Sequence, residues 1–239
     1  MLIFLDVQTT GLEFNDVLCS LGLIAVEESL QVTQYTLVNE GKKIPPKASS
    51  IHHITNEMIK EERAFKESAI YEYLCKHNVP ETTLIAHNSS FDLQKLSLGG
   101  LDWKGKVIDT LRVTRHLIPE CEFFSLQVLR YELQLYKQEK KLALEYGIKD
   151  AIQAHNALSD TLVVKQLFEY LSTLATQEEM LELSYKKVLL QKINFGKHSG
   201  KYLEEVAMND RGYLEWLLGL SELDEDLRYS VEYYLQGCI

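Results

Sequence analysis

The chain has 239 residues, 46% of them hydrophobic and 10% aromatic, with a formal net charge of −10. That composition excludes general disorder, and the acidic balance excludes a nucleic-acid binder that works by whole-surface attraction. It leaves open an enzyme that gathers its carboxylates around cations. The length suits one main domain with a small appendage.

In chain order, residues 2–6 read as a buried strand, 17–26 as a second and 31–39 as a third with partial alternation, together an antiparallel meander. The stretch 41–49 reads as loop, because Pro45-Pro46 breaks regular structure. Residues 54–62 and 65–77 read as helical, the latter with an apolar stripe through Ile70 and Leu74. A short buried strand is expected at 82–88, a helix from 91, a strand and helix within 106–119, and a helix over 125–136 with Ser125 as N-cap. The longest helical pattern starts after His155 and carries Leu158, Leu162, Leu167, Leu171 and Leu174. Thr176 and Glu179 form a capping-box pattern that opens another helix. Strands followed by alternating strands and helices imply a mixed α/β sheet flanked by helices. The texture changes near 185–192, which divides the chain into residues 1–185 and a small C-terminal region, 186–239.

Cys19, Cys75, Cys121 and Cys238 are scattered, with no Cys-x-x-Cys pair, which argues against a disulfide framework or a zinc site and for a reducing compartment. There is no basic n-region, and no run approaches the roughly 20 apolar residues of a membrane span. A soluble, cytoplasmic protein with no membrane partner is expected.

Three segments carry carboxylates at element ends. Asp6 closes the first strand, Asp92 follows another strand at a helix start, and Asp160 lies on the first turn of the long helix, with His155 just before it. A helix turns about 100° per residue, so His155 and Asp160 converge only if His155 stays in the preceding loop. Each feature alone is ordinary, since strand-end Asp residues cap turns and acidic residues favour helix N-termini. In this order they suit hard divalent cations, which take oxygen ligands, and a histidine that accepts a proton near neutral pH.

The set resembles the DEDDh exonucleases, the DnaQ-like branch of the RNase H-like fold. The Asp-x-Glu-x-Thr-Gly motif is similar to Asp6-Val7-Gln8-Thr9-Thr10-Gly11, His-Asn-x-x-Phe-Asp matches His87 to Asp92, and His-x4-Asp matches His155 to Asp160. The Ile-His-x-Ile-Thr loop matches residues 51–55, and "VIDTLRV" (107–113) resembles the segment after the second motif. The likeness covers about residues 1–175, and "FGKHSGKYLEEVA" resembles the tail of the exodeoxyribonuclease X subgroup. It implies a mixed five-stranded sheet and a 3′→5′ exonuclease acting on a single-stranded or 3′-end nucleic acid, DNA above all. It also implies two Mg²⁺ or Mn²⁺ ions at Asp6, Gln8, Asp92 and Asp160, and His155 as general base. Thr9, Thr10, Gly11 and Leu12 would hold the 3′-terminal nucleotide, with His52, Asn88 and Phe91 lining the pocket. Glycine at 11 would let the backbone approach a ligand closely.

One position departs from the family pattern: Gln8 stands where the family has Glu. Its amide matches the shape but lacks the charge, and one charge pair at about 4 Å is worth about 4 kcal/mol even at an effective dielectric near 20. A loss of about 100-fold or more in metal occupancy is expected, with the fold intact. The departure suits either an introduced inactivating substitution or a natural binder with attenuated cleavage. Non-cleaving pseudo-exonuclease and RNase T-like RNA trimmer are the alternative functions. A second candidate contact is the run 186–201, which holds Lys186, Lys187, Lys192, Lys197 and Lys201 and no acid. Lys197 and Lys201, in "FGKHSGK", are expected to meet the substrate's phosphates.

Overall fold

The structure, a computed structural model, describes residues 1–28, 30–149, 152–220 and 223–237. Its centre is a five-stranded mixed sheet. Strands β1 (Leu2–Thr9), β2 (Leu18–Glu27) and β3 (Leu30–Leu37) form the expected antiparallel meander. β3 is an edge strand, with no fully buried residue. Helix α1 spans Pro46–His52 and α2 spans Ala69–His77, before strand β4 (Thr83–Ala86) pairs in parallel with β1. Helix α3 (Ser89–Leu98) leads to β5 (Lys106–Asp109), parallel to β4, and then α4 (Thr110–Leu117). The sheet order is β3-β2-β1-β4-β5. Beyond it lie α5 (Leu126–Glu132), α6 (Glu139–Glu145), α7 (Ala157–Leu171) and α8 (Gln177–Tyr185). The C-terminal helices are α9 (Leu203–Asn209), α10 (Arg211–Leu218) and α11 (Glu225–Gly237).

Successive residues of a strand face opposite sides, so β1 feeds two cores. Phe4 packs with Ile24, Ile85, Leu162 and Val163 under α7, whereas Ile3, Leu5 and Val7 join Leu21, Leu23 and Leu84 under α2 and α3. This two-sided burial explains the unbroken apolar run of β1. A separate cluster of Ile193, Leu203, Val206, Leu214, Leu217 and Val231 holds the C-terminal helices together.

Four expectations need correction. Pro46 does not break the chain: it is the first residue of α1, where its fixed φ suits the helix and its missing N–H costs nothing. Residues 54–62 form turns, because His53 ends α1 in a left-handed conformation and the Asn56 side chain bonds both the N–H (2.8 Å) and the carbonyl (3.0 Å) of Ile44. The long helix stops at Leu171, and Leu174 lies half-exposed in the turn before α8. Ser125 occupies the N-cap position of α5 but its side chain makes no capping bond. The Thr176–Glu179 capping box forms in both directions.

A buried clamp fastens the C-terminal region to α4. Asp226, 2% exposed, pairs with Arg112 at 2.7 Å and Arg115 at 2.8 Å and accepts the Val188 N–H at 3.0 Å. The arginines hold its carboxyl below the ordinary carboxylate value despite burial. Cys19, Cys75 and Cys121 are free thiols, and Cys238 lies outside the described residues. Among the described residues, no helix is long and apolar enough to cross a membrane.

Candidate active site

Asp6 and Gln8 lie two residues apart on β1, so they share one face of the strand. Asp92 is on the first turn of α3 and Asp160 on the first turn of α7, both 4% exposed. What brings α7 to the sheet is Gly22, the residue opposite Asp6 on β2. A Cβ there would come within 2.4 Å of the Ala157 carbonyl carbon and oxygen. Any larger side chain would push the first turn of α7, and Asp160 with it, away from Asp6.

The three carboxylates act on one another. Burial raises the Asp6 carboxyl well above its ordinary value, and the charges of Asp160 and Asp92 add to the rise. Burial also pushes Asp160 up to about 7, against the pull of a backbone bond at His155, of Arg130 and of Gln127. Asp92 is raised by burial and then by Asp109. The donors that meet two of these groups are amides: Gln8 Nε2 donates to Asp6 at 3.0 Å, and Gln127 Nε2 donates to Asp160 at 2.5 Å. Gln127 is held in turn by Arg130 at 3.1 Å, and Arg130 forms a buried pair with Glu139.

A cluster of buried, mutually repelling carboxylates fits hard divalent cations, which supply the missing positive charge. Among the described residues no group of three or more His, Cys, Asp or Glu side chains is drawn together to ligand spacing. The arrangement is open, and the Gln8–Asp6 bond already uses one Asp6 oxygen.

His155 stands in the turn before α7, exposed and with φ +60°, so the loop placement required for it to face Asp160 is met. Asn88, also left-handed (φ +68°), opens α3. The turn there is tied to β5 by Asp109, whose carboxylate accepts the N–H groups of Asn88 (3.1 Å) and Ser89 (2.9 Å) and also caps α4. Gln127 and Asp109 escaped the sequence reading. An Asp at a strand end before Thr, in "VIDT", was the available signal for the second, and nothing in the sequence marked the first.

In the loop after β1, Gly11 also leaves room for Asp16, since a Cβ would lie 2.3 Å from an Asp16 oxygen. The Thr hydroxyls are used inside the protein, Thr9 Oγ1 donating to Gly11 O (2.6 Å) and Thr10 Oγ1 to Asp16 (2.9 Å). Leu12 is 84% exposed and Phe14 is 68% exposed, so the loop presents apolar tips to solvent. Phe91 is half-buried on α3. His52 is buried, its Nδ1 accepting the Ile54 N–H at 3.0 Å and its Nε2 lying 3.9 Å from Cys19 Sγ. Two lysines of the tail are ion-paired within the C-terminal region: Lys197 with Asp210 at 2.6 Å and Lys201 with Glu205 at 3.8 Å. The acids missing from the run 186–201 come from just beyond it.

Comparison with known proteins gives two family matches, the exonuclease model over residues 3–168 and an exodeoxyribonuclease X-like C-terminal model over residues 193–219. Exodeoxyribonuclease 10 of Escherichia coli K12 is 27% identical over 240 residues, covering 99% of this chain and 100% of its own length. The PolC-type DNA polymerase III of Thermotoga maritima is 30% identical over 173 residues, 70% of this chain but 11% of that much longer protein. Among solved structures, exonuclease X in complex with 5′ overhanging duplex DNA matches with a TM-score of 0.58 and 23% identity over 77% of this chain and 99% of that one. The nuclease domain of 3′hExo, a DEDDh member bound to rAMP, matches at 0.51 and 12% identity over 72% of this chain and 91% of that one. The fold is thus the RNase H-like exonuclease fold.

Proposed function

Because the chain belongs to the exonuclease family, we propose that it removes nucleotides from DNA 3′ ends, working 3′→5′, with turnover limited by Gln8. Asp6, Asp92 and Asp160, with the Gln8 amide oxygen, would hold two Mg²⁺ or Mn²⁺ ions. Such ions, when bound, stabilise the attacking and leaving oxygens of a phosphodiester displacement. His155, exposed beside the Asp160 turn, takes the proton of the attacking water. The backbone of Thr9 and Thr10 and the exposed Leu12 receive the terminal nucleotide, with Asn88 and Phe91 beside it and His52 supporting the loop. The observation that carries this reading is the trio of neighbouring carboxylates whose acidity is suppressed by burial, two of them hydrogen-bonded by glutamine amides.

DNA is the favoured substrate because the full-length relative is a deoxyribonuclease and the related exonuclease X structure holds DNA. Residues 186–239 form a small C-terminal region, where Lys197 and Lys201 reach phosphates only by leaving Asp210 and Glu205. The protein works in the cytoplasm. A second reading, a pseudo-exonuclease that binds 3′ ends without cutting, is favoured by the Gln8–Asp6 bond alone. The test is to incubate 3′-labelled single-stranded DNA and RNA with Mg²⁺ or Mn²⁺, comparing the chain with its Gln8→Glu variant. Cutting of DNA that rises at least about 100-fold in the variant is expected. No cutting by either would overturn the enzyme reading, and preferred cutting of RNA would replace DNA as the substrate.

A further inference from the structure

Lys95 is 1% exposed, one of the largest fully buried side chains of the protein and a residue type that is almost never buried without partners. It sits on α3, one turn beyond Asp92. Its ammonium donates to the carbonyl oxygens of Glu13 (2.5 Å), Asp16 (3.0 Å) and, more distantly, Phe14 (3.4 Å). An ammonium has three donors, and all three point into one loop, residues 13–16. The Phe91 ring lies 5.2 Å from the same nitrogen. Asp16, whose side chain accepts from Thr10 Oγ1, the Glu13 N–H and Lys42 Nζ, ties that loop back to residue 10. Three carbonyls converging on one buried point repel each other unless a cation sits between them, so the loop conformation depends on Lys95.

We propose that Lys95 is a positioning residue that sets the cradle loop, and the exposed Leu12 and Phe14 it carries, in register with the Asp92 carboxylate, so that a strand is gripped by its 3′ end. This rests on the exonuclease reading. The Lys95 ammonium is spent on the backbone carbonyls of residues 13–16. It acts through the backbone of residues 13–16, linking the helix that supplies one carboxylate to the loop that receives the terminal nucleotide.

The test measures end preference: the affinity for a short linear single strand divided by that for a circular strand of the same sequence, in EDTA so that nothing is cut. The chain is compared with Lys95→Met, which keeps the volume and removes the charge, and with Lys95→Gln, which keeps two donors should the Met variant fail to fold. Lys95→Met is expected to lose about tenfold in end preference, and Lys95→Gln about threefold to fivefold, with affinity for the circle unchanged. A loss confined to melting temperature, with end preference held within about twofold in the folded variants, would overturn the proposal. So would absence of end preference in the unaltered chain. The enzyme reading is judged separately, by cutting in Mg²⁺ or Mn²⁺, and survives if only the positioning role fails.

Discussion

Buried carboxylates occur in two settings in this molecule. Asp226 sits between two arginines, and its acidity is strengthened although it is 2% exposed. Asp6, Asp92 and Asp160 sit near one another without such partners, and their acidity is weakened. Asp92 and Asp160 are as little exposed as Asp226, so for them the counter-ion decides the outcome. One setting is a finished fastening between two parts of the chain. The other is unfinished, a group of carboxylates whose charge no side-chain ion pair offsets among the described residues.

The largest effect is expected from breaking the finished setting. Asp226→Ala takes the carboxylate from the half-buried Arg112 and leaves Arg115 only Asp224, and should cost about 3 kcal/mol in urea unfolding, with the C-terminal helices released first. Next comes the steric condition of the unfinished one. Gly22→Ala should cost about 1–3 kcal/mol by overpacking against Ala157, and a metal titration should show weaker binding, since Asp160 retreats from Asp6.

The two settings should also respond to pH with opposite sign. Without metal, the folded chain keeps a proton on Asp160 up to about 7, whereas the unfolded chain has lost it. The folded state then binds more protons, so stability falls as pH rises between the ordinary carboxylate value and about 7, by at most about 1.4 kcal/mol per pH unit for one proton. Asp160→Asn should flatten that slope, as should saturating Mg²⁺. Asp226 is lowered instead, so its contribution is present above the ordinary carboxylate value and is lost as pH falls through its lowered one. Urea unfolding across pH in EDTA checks both limbs. The smallest effect concerns Gln8: in EDTA above pH 7, Gln8→Glu should lower stability by about 1 kcal/mol, because a fourth carboxylate replaces an amide that donates to Asp6.

Much of the unfinished site was legible in the sequence because its residues stand at element ends with local signatures. Asp6 closes an apolar run, Asp92 opens a helix, Asp160 follows an N-cap, and the Thr176 capping box is read within four residues. What stayed hidden depends on contacts between distant segments. Gly22 reads as a weakness in a strand until α7 is seen against it. Nothing in the sequence around Lys95 marks it as buried, and only the fold brings residues 13–16 to it. The Asp226 clamp joins residues more than a hundred positions apart. Local errors had local causes too: Asn56 diverted 54–62 from helix by bonding backbone groups of Ile44.

The most direct test of an unfinished site weakened at Gln8 is a calorimetric titration of Mn²⁺ into the chain and into its Gln8→Glu variant at pH 8. Binding that tightens by about 100-fold or more in the variant is the expected result. Equal affinities in the two proteins, or no binding by the variant, would contradict it.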